Sequence, residues 1–186
     1  ARVINTNATS STAYSHTYRL DTTAPTTTLS NLALSADTGT STTDFITKTA
    51  SQTISATLSN TLAAGDVLYG SLDNGVTFTD ITSKVSGTTL TWNGATLSSS
   101  NTLMLRVTDS AGNNGVVTSR AYTLDTTAPA NSIASASFSN DSGTSSTDFI
   151  TNTAAQTVSG TLSANLAAGD TVYVSLNNGA TWTTAS

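Results

Sequence analysis

One eight-residue phrase occurs twice, as YRLDTTAP at 18–25 and as YTLDTTAP at 122–129. The copies lie 104 residues apart and differ at one position. The correspondence extends far beyond the phrase. Residues 21–82 align with 125–186 without a gap, and 35 of these 62 positions are identical. DFIT at 44–47 returns at 148–151, LAAGD at 62–66 returns at 166–170, and SLDNG at 71–75 returns as SLNNG at 175–179. The same offset sets ARV (1–3) on LRV (105–107), and Tyr18 and Leu20 on Tyr122 and Leu124. Solenoid units run to roughly 20–50 residues, so a unit of this length is a domain in its own right. The expected organisation is three-part. Residues 1–20 supply the last strands of one repeat (the end of F, and G). Residues 21–124 form a complete domain, and 125–186 form strands A to C′ of the next. The chain reads as a segment of a longer tandem array.

Composition narrows what each repeat can be. Charged residues are 9% of the chain, against roughly 25% in an ordinary domain. Serine and threonine, over a third of the residues, must therefore cover the surface. Threonine is β-branched and fits a pleated, half-buried face. Glutamate is absent and lysine occurs only at Lys48 and Lys84, so strong helix formers are scarce. The net charge is −5 and no Lys/Arg cluster exists, which argues against nucleic-acid binding. Without cysteine there is neither a disulfide framework nor a thiolate metal site. No apolar run approaches the ~18–20 residues of a membrane-spanning helix, so no membrane insertion is expected in this segment.

The pattern predicts an all-β fold. Strands are expected at 26–34 (A), 52–58 (B), 66–72 (C), 76–81 (C′), 88–92 (E), 102–108 (F) and 116–124 (G). Asn74-Gly75 supplies the positive φ of a tight turn between C and C′. In F, Leu103, Leu105 and Val107 share one face. Seven strands in about 100 residues suit a Greek-key, immunoglobulin-like β-sandwich repeated with a period of 104. A barrel or jelly roll is the structural alternative. Tyr69, Phe78 (Trp182 in the next copy), Trp92 and Tyr122 are expected to fill the core in place of a disulfide.

The chain as a whole resembles the bacterial immunoglobulin-like repeats of giant secreted adhesins, of the biofilm-associated and RTX type. The residues that carry the resemblance are LDTTAP at the junction, SADTGTSTTDFIT (35–47), SLDNGVTF (71–78) and LRVTDSAGNNG (105–115). The resemblance implies an extracellular or cell-surface stalk that Gram-negative bacteria export, usually stiffened by calcium. Its partners would be neighbouring repeats of the same chain. A glycan or host-surface ligand would be engaged through other domains.

All eleven acidic residues are aspartate. Each has an ordinary explanation in turn chemistry. Their placement gives a second reading. With alternating strand directions, the A–B loop carries Asp37 and Asp44 to the end of the domain where Asp125 opens the next repeat. Asp21, Asp66 and Asp109 gather at the opposite end. Carboxylates held together repel unless a cation neutralises them, and Ca²⁺ accepts 6–8 oxygen ligands. The expected interdomain calcium ligands are Asp37, Asp44 and Asp125, with Asp141 and Asp148 as the equivalent loop of the next repeat. Asp109 and Asn113, with Asp21 or Asp66, are a second candidate. No EF-hand is possible without its terminal glutamate.

Little points to catalysis. His16 is the only histidine, and position 120 of the complete repeat is Arg. The many hydroxyls lack an evident activating base. Paired loop aspartates fit a structural role better than a glycosidase. NAT (7–9) and NDS (140–142) match a glycosylation sequon, which chance explains in so polar a chain. A flat threonine array for ice binding is not promised by strands this irregular. The leading expectation is a non-enzymatic extender segment, stiffened by calcium, that projects an adhesive tip for biofilm formation or surface attachment. The alternative is a ligand-binding module that recognises glycan or protein through one sandwich face, which would require an exposed aromatic or acidic platform.

Overall fold

The computed structural model describes residues 1–39 and 41–186. Thr40, inside the DTGTSTTD loop, lies outside the described residues. Two units make up the chain, Ala1–Asp125 and Thr126–Ser186.

Alternation builds the first unit. In β3 (Ser51–Leu58) every second residue, from Gln52 through Ile54 and Ala56 to Leu58, is buried. β3 pairs antiparallel with β1 (Leu29–Leu34) on one side and with β7 (Thr89–Thr96) on the other. β7 also pairs with the short β6 (Val85–Ser86), which gives a sheet of order β1-β3-β7-β6. The second sheet centres on β8 (Asn101–Thr108), whose inward Leu103, Leu105 and Val107 are fully buried. β8 lies between β4 (Val67–Ser71) and β9 (Thr118–Leu124). The two-residue strands β2 (Ile46–Thr47) and β5 (Thr79–Asp80) form its edges, in the order β2-β9-β8-β4-β5. β2 runs parallel to β9, with Ile46 opposite Thr123 and Thr47 opposite Leu124.

Both sheets contribute to one hydrophobic core, an arrangement consistent with a β-sandwich. Its buried apolar members, from Leu29 to Tyr122, all come from the 21–124 repeat. Each Leu, Ile or Val buried this way contributes about 1.5–3 kcal/mol. The Tyr122 hydroxyl, too polar to bury unpaired, donates to the Leu72 carbonyl at 2.6 Å.

Two expectations for the first unit require correction. Tyr69 and Phe78 are not in the core. Leu68 and Gly70 take the inward positions of β4, which turns Tyr69 outward, opposite Arg106 and Asp80. Phe78 lies on the same outer face, 4.0 Å beneath the Arg106 guanidinium. Strand C′ is also shorter than expected. Asn74 and Gly75 adopt the positive φ that the turn requires, at 58° and 82°. The strand nevertheless starts only at Thr79, because the Asp73 carboxylate binds both the amide and the hydroxyl of Thr77 and holds the chain in a loop.

Residues 1–14 reproduce the turn between β8 and β9. The Asn5 amide donates to the Thr9 carbonyl at 3.0 Å, as the Asp109 amide does to Asn113 at 3.1 Å. Asn5 Oδ1 accepts from the amides of Asn7 and Thr9, as Asp109 Oδ1 does from Ala111 and Asn113. The second unit contains two antiparallel pairs. One joins β10 (Ile133–Phe138) to β11 (Val158–Leu162), and the other joins β12 (Tyr173–Val174) to β13 (Thr183–Thr184). Trp182 is 60% exposed there, against the expectation of a core position. None of the helices among the described residues is long and apolar enough to cross a membrane.

Candidate functional site

The loop between β1 and β3 is organised by a buried amide. Gln52 is 2% exposed at an inward position of β3. Its Oε1 accepts from the Ala36 amide (3.0 Å) and the Ser35 hydroxyl (3.2 Å). Its Nε2 donates to the carbonyls of Thr49 (2.6 Å) and Ala36 (3.2 Å). The Thr47 hydroxyl donates to the Ala36 carbonyl as well, at 2.5 Å. Both ends of the loop are therefore tied to one side chain. In the sequence Gln52 stands only at the start of a strand; its recurrence as Gln156, a polar residue at an inward position, is the signal of its role.

Within that frame two carboxylates meet the same turn. Phe45 has φ 67°, an uncommon conformation for a bulky residue, and its ring is buried with the Arg120 guanidinium 4.9 Å away. Its amide donates to Asp37 Oδ2 at 2.9 Å, and the next amide, that of Ile46, donates to Asp44 Oδ1 at 3.0 Å. Gly39 lies against this turn: a Cβ there would sit 3.5 Å from both Asp44 carboxylate oxygens and 3.3 Å from the Ile46 carbonyl oxygen. Asp125 reaches the loop through its backbone, its amide donating to the Thr47 carbonyl at 2.9 Å. Asp37 Oδ1 is shut off from solvent and has no hydrogen-bond partner among the described residues.

The second unit repeats the arrangement. Asp141 Oδ2 accepts from the Phe149 amide at 3.0 Å, and Asp148 Oδ1 accepts from the Ile150 amide at 3.1 Å. Phe149 has φ 59°. Gln156 makes the bonds of Gln52, to Ser139, Asn140, Thr151 and Thr153. Asp141 Oδ1, like Asp37 Oδ1, is buried without a partner among the described residues.

These residues fit a hard cation in part. A buried carboxylate oxygen without a donor costs about 1–3 kcal/mol or more, and a cation relieves that cost. The donors at hand are all oxygen: carboxylates, hydroxyls and carbonyls, which is the calcium preference. Asp37 and Asp44 accept from successive amides of one turn, and the Asp125 amide bonds the Thr47 carbonyl of the same loop. Among the described residues, however, no three carboxylate or imidazole groups converge as a ready metal cluster.

At the other end of the unit, Arg19, Asp21, Asp66 and Asp109 line a cleft of about 500 Å³. Asp109 is occupied by its own turn, with Oδ1 accepting from the amides of Ala111 and Asn113 and Oδ2 from Asn113 Nδ2 at 2.9 Å. The Asn113 side-chain bond, helped by backbone amides, holds this carboxyl below its usual range. Asn113 Nδ2 also donates to the Asp21 carbonyl at 3.1 Å. Asp21 pairs with Arg19 at 3.2 Å, and Asp66 Oδ2 accepts from the Ala63 amide at 3.3 Å. Asp21, Asp66 and Asp109 thus share one cleft, but hydrogen bonds and a guanidinium already engage them. What this turn grips is the repeated phrase itself: Asn113 holds Asp21, and Gly115 packs so near Pro25 that a Cβ would lie 2.9 Å from the Pro25 carbonyl oxygen. Comparison with models of protein families and with curated proteins finds no match to the chain.

Proposed function

We propose that the chain is a non-catalytic extender of an extracellular bacterial adhesin, built from tandem immunoglobulin-like domains and stiffened by calcium at the end of each repeat. Strand order supports the immunoglobulin-like reading: with β1, β3, β7 and β6 as A, B, E and D, and β9, β8 and β4 as G, F and C, the sheets follow the A-B-E-D and G-F-C orders, and the short β2 runs parallel to β9. The observation that carries the calcium reading is the buried oxygen of Asp37 and of Asp141, which has no hydrogen-bond partner among the described residues and recurs 104 residues apart inside the same hydrogen-bond frame. Calcium would be held by Asp37 and Asp44, with Asp125 beside them, and by Asp141 and Asp148 in the next copy. The second candidate, around Asp109 and Asn113, has less to offer because Arg19 already lines that cleft.

The competing reading, a glycan- or protein-binding face, has Tyr69 and Phe78 on the outer surface of the second sheet, but Arg106 covers the Phe78 ring. The test is thermal unfolding with Ca²⁺ and with EDTA, using Mg²⁺ as the control. A metal bound only by the native state raises the melting temperature, and at 100 times Kd it adds about 2.7 kcal/mol. Asp37→Asn should remove that shift. An unchanged melting temperature at millimolar Ca²⁺ would refute calcium stiffening.

A further inference from the structure

Asn-Gly occurs four times, at 74–75, 93–94, 114–115 and 178–179. This dipeptide is the one most prone to deamidate, because glycine places no side chain beside its attacking nitrogen. The fold treats the four pairs differently. The Gly75 amide donates to Ser71 Oγ at 2.9 Å, and the Gly179 amide donates to Ser175 Oγ at 2.8 Å. The Gly115 amide donates to the Val107 carbonyl at 2.8 Å, while the Asn114 side chain is held by the Thr108 hydroxyl, also at 2.8 Å. In each case the nitrogen that would attack is committed to a fixed oxygen.

Asn93-Gly94 is set differently, inside a strand at an irregularity of its ladder. The pairing of β3 with β7 steps from Gln52–Ala95 to Thr53–Asn93, so Gly94 is a bulge residue opposite nothing in β3. Gly94 has φ 76°, and a Cβ there would meet no atom within 4 Å. Both residues are exposed, and among the described residues no hydrogen bond holds the Asn93 side chain. β6 pairs β7 only at Leu90 and Thr89, which leaves the far side of the bulge uncovered.

We propose that Asn93 is the site of spontaneous, fold-selected deamidation in this protein. The Gly94 nitrogen attacks Asn93 Cγ, a C–N bond closes a five-membered succinimide, and ammonia leaves. Water then opens the ring at either carbonyl, giving aspartate or isoaspartate. No oxidant or reductant is involved. The isoaspartate form inserts a methylene into the backbone of β7, next to the buried Trp92, so conversion loosens the first sheet from its centre.

Trypsin separates the four pairs, because cleavage after Lys48, Lys84, Arg106 and Arg120 places them in peptides 49–84, 85–106, 107–120 and 121–186. The intact protein is held at mildly alkaline pH, digested and weighed peptide by peptide, both natively and in urea. Peptide 85–106 should gain acid several-fold faster than the other three in the native protein, and Asn93→Gln should abolish that gain. In urea the four rates should converge. Native conversion of 85–106 no faster than that of 49–84, or the same ranking in urea, would overturn the proposal.

Discussion

Gly70 lies directly under the indole of Trp92, so close that a Cβ at position 70 would fall 2.6 Å from Trp92 Cζ3 and 2.9 Å from Ile81 Cδ1. The two residues belong to opposite sheets, Gly70 to β4 and Trp92 to β7, so the missing side chain of one makes room for the ring of the other. The corresponding position of the next copy is Val174, and this contact is therefore not part of the repeated plan. Overpacking a tight core costs about 1–3 kcal/mol, and Gly70→Ala should destabilise the protein by that amount in urea unfolding. Trp92→Leu alone leaves a cavity. The double variant should cost less than the sum of the two, since the second change makes room for the first. Strict additivity would show that the indole does not rest on Gly70.

Tyr122 closes the same core from β9. Its ring is buried, and its hydroxyl meets the Leu72 carbonyl at 2.6 Å. Burial, reinforced by the nearby Asp73 charge, raises its pKa and keeps the phenol protonated. Tyr122→Phe keeps the ring and removes one hydrogen bond, so stability should fall by about 0.5–1.5 kcal/mol, read from the urea midpoint. A larger loss would mean that the hydroxyl organises the Leu72 turn beyond its single bond.

Gln52 carries a heavier load. Gln52→Ala strands the Ala36 amide and the Thr49 carbonyl in a partly buried loop, while the Ala36 carbonyl keeps the Thr47 hydroxyl. Each buried group left unsatisfied costs about 1–3 kcal/mol, so the total should exceed ~2 kcal/mol. Gln52→Glu separates shape from chemistry. It keeps the acceptor for Ala36 and Ser35 but removes the donor to Thr49, and adds charge at a 2% exposed site. It should be no better tolerated than Gln52→Ala.

How far the fold could be read in advance depends on the range of the forces. Strands β3, β7 and β8 were legible because alternation along each strand records which face is buried, as in Leu103, Leu105 and Val107. The gathering of Asp21, Asp66 and Asp109 was legible because strand direction alternates. Tyr69 and Phe78 were misplaced because size alone does not say which face a residue occupies; in β4 the decisive residue was the small Gly70. The parallel strand β2 was not foreseen, since two residues, Ile46 and Thr47, carry no periodicity. Its existence rests on distant bonds: the Thr123 amide to the Phe45 carbonyl and the Asp125 amide to the Thr47 carbonyl. The partnerless Asp37 oxygen was invisible for the same reason, because burial of one atom is a property of the folded loop.

The turn at Asp73 offers a pH experiment that the repeat itself has already set up. Asp73 accepts from the Thr77 hydroxyl (2.5 Å), the Thr77 amide (2.9 Å) and the Ser71 hydroxyl (2.7 Å). These bonds, that from the Thr77 side chain above all, lower its pKa from 3.8 to about 2. A carboxyl with a depressed folded pKa stabilises the native state fully above the unfolded value. Stability from this group should therefore be complete above pH 3.8 and fall as the pH drops toward about 2. The next copy has Asn177 at this position and keeps the turn: Asn177 Oδ1 accepts from the Thr181 amide at 2.9 Å, and Nδ2 donates to the Thr181 hydroxyl at 2.7 Å. The hydroxyl proton has only to reverse its role. Asp73→Asn should accordingly fold as well as the parent near neutral pH and lose this part of the acid sensitivity, read as a flatter melting temperature between pH 3.8 and about 2. If the variant remains as acid-sensitive as the parent across that window, the sensitivity belongs to the other depressed carboxyls, Asp80 and Asp109, and the Asp73 turn does not set it.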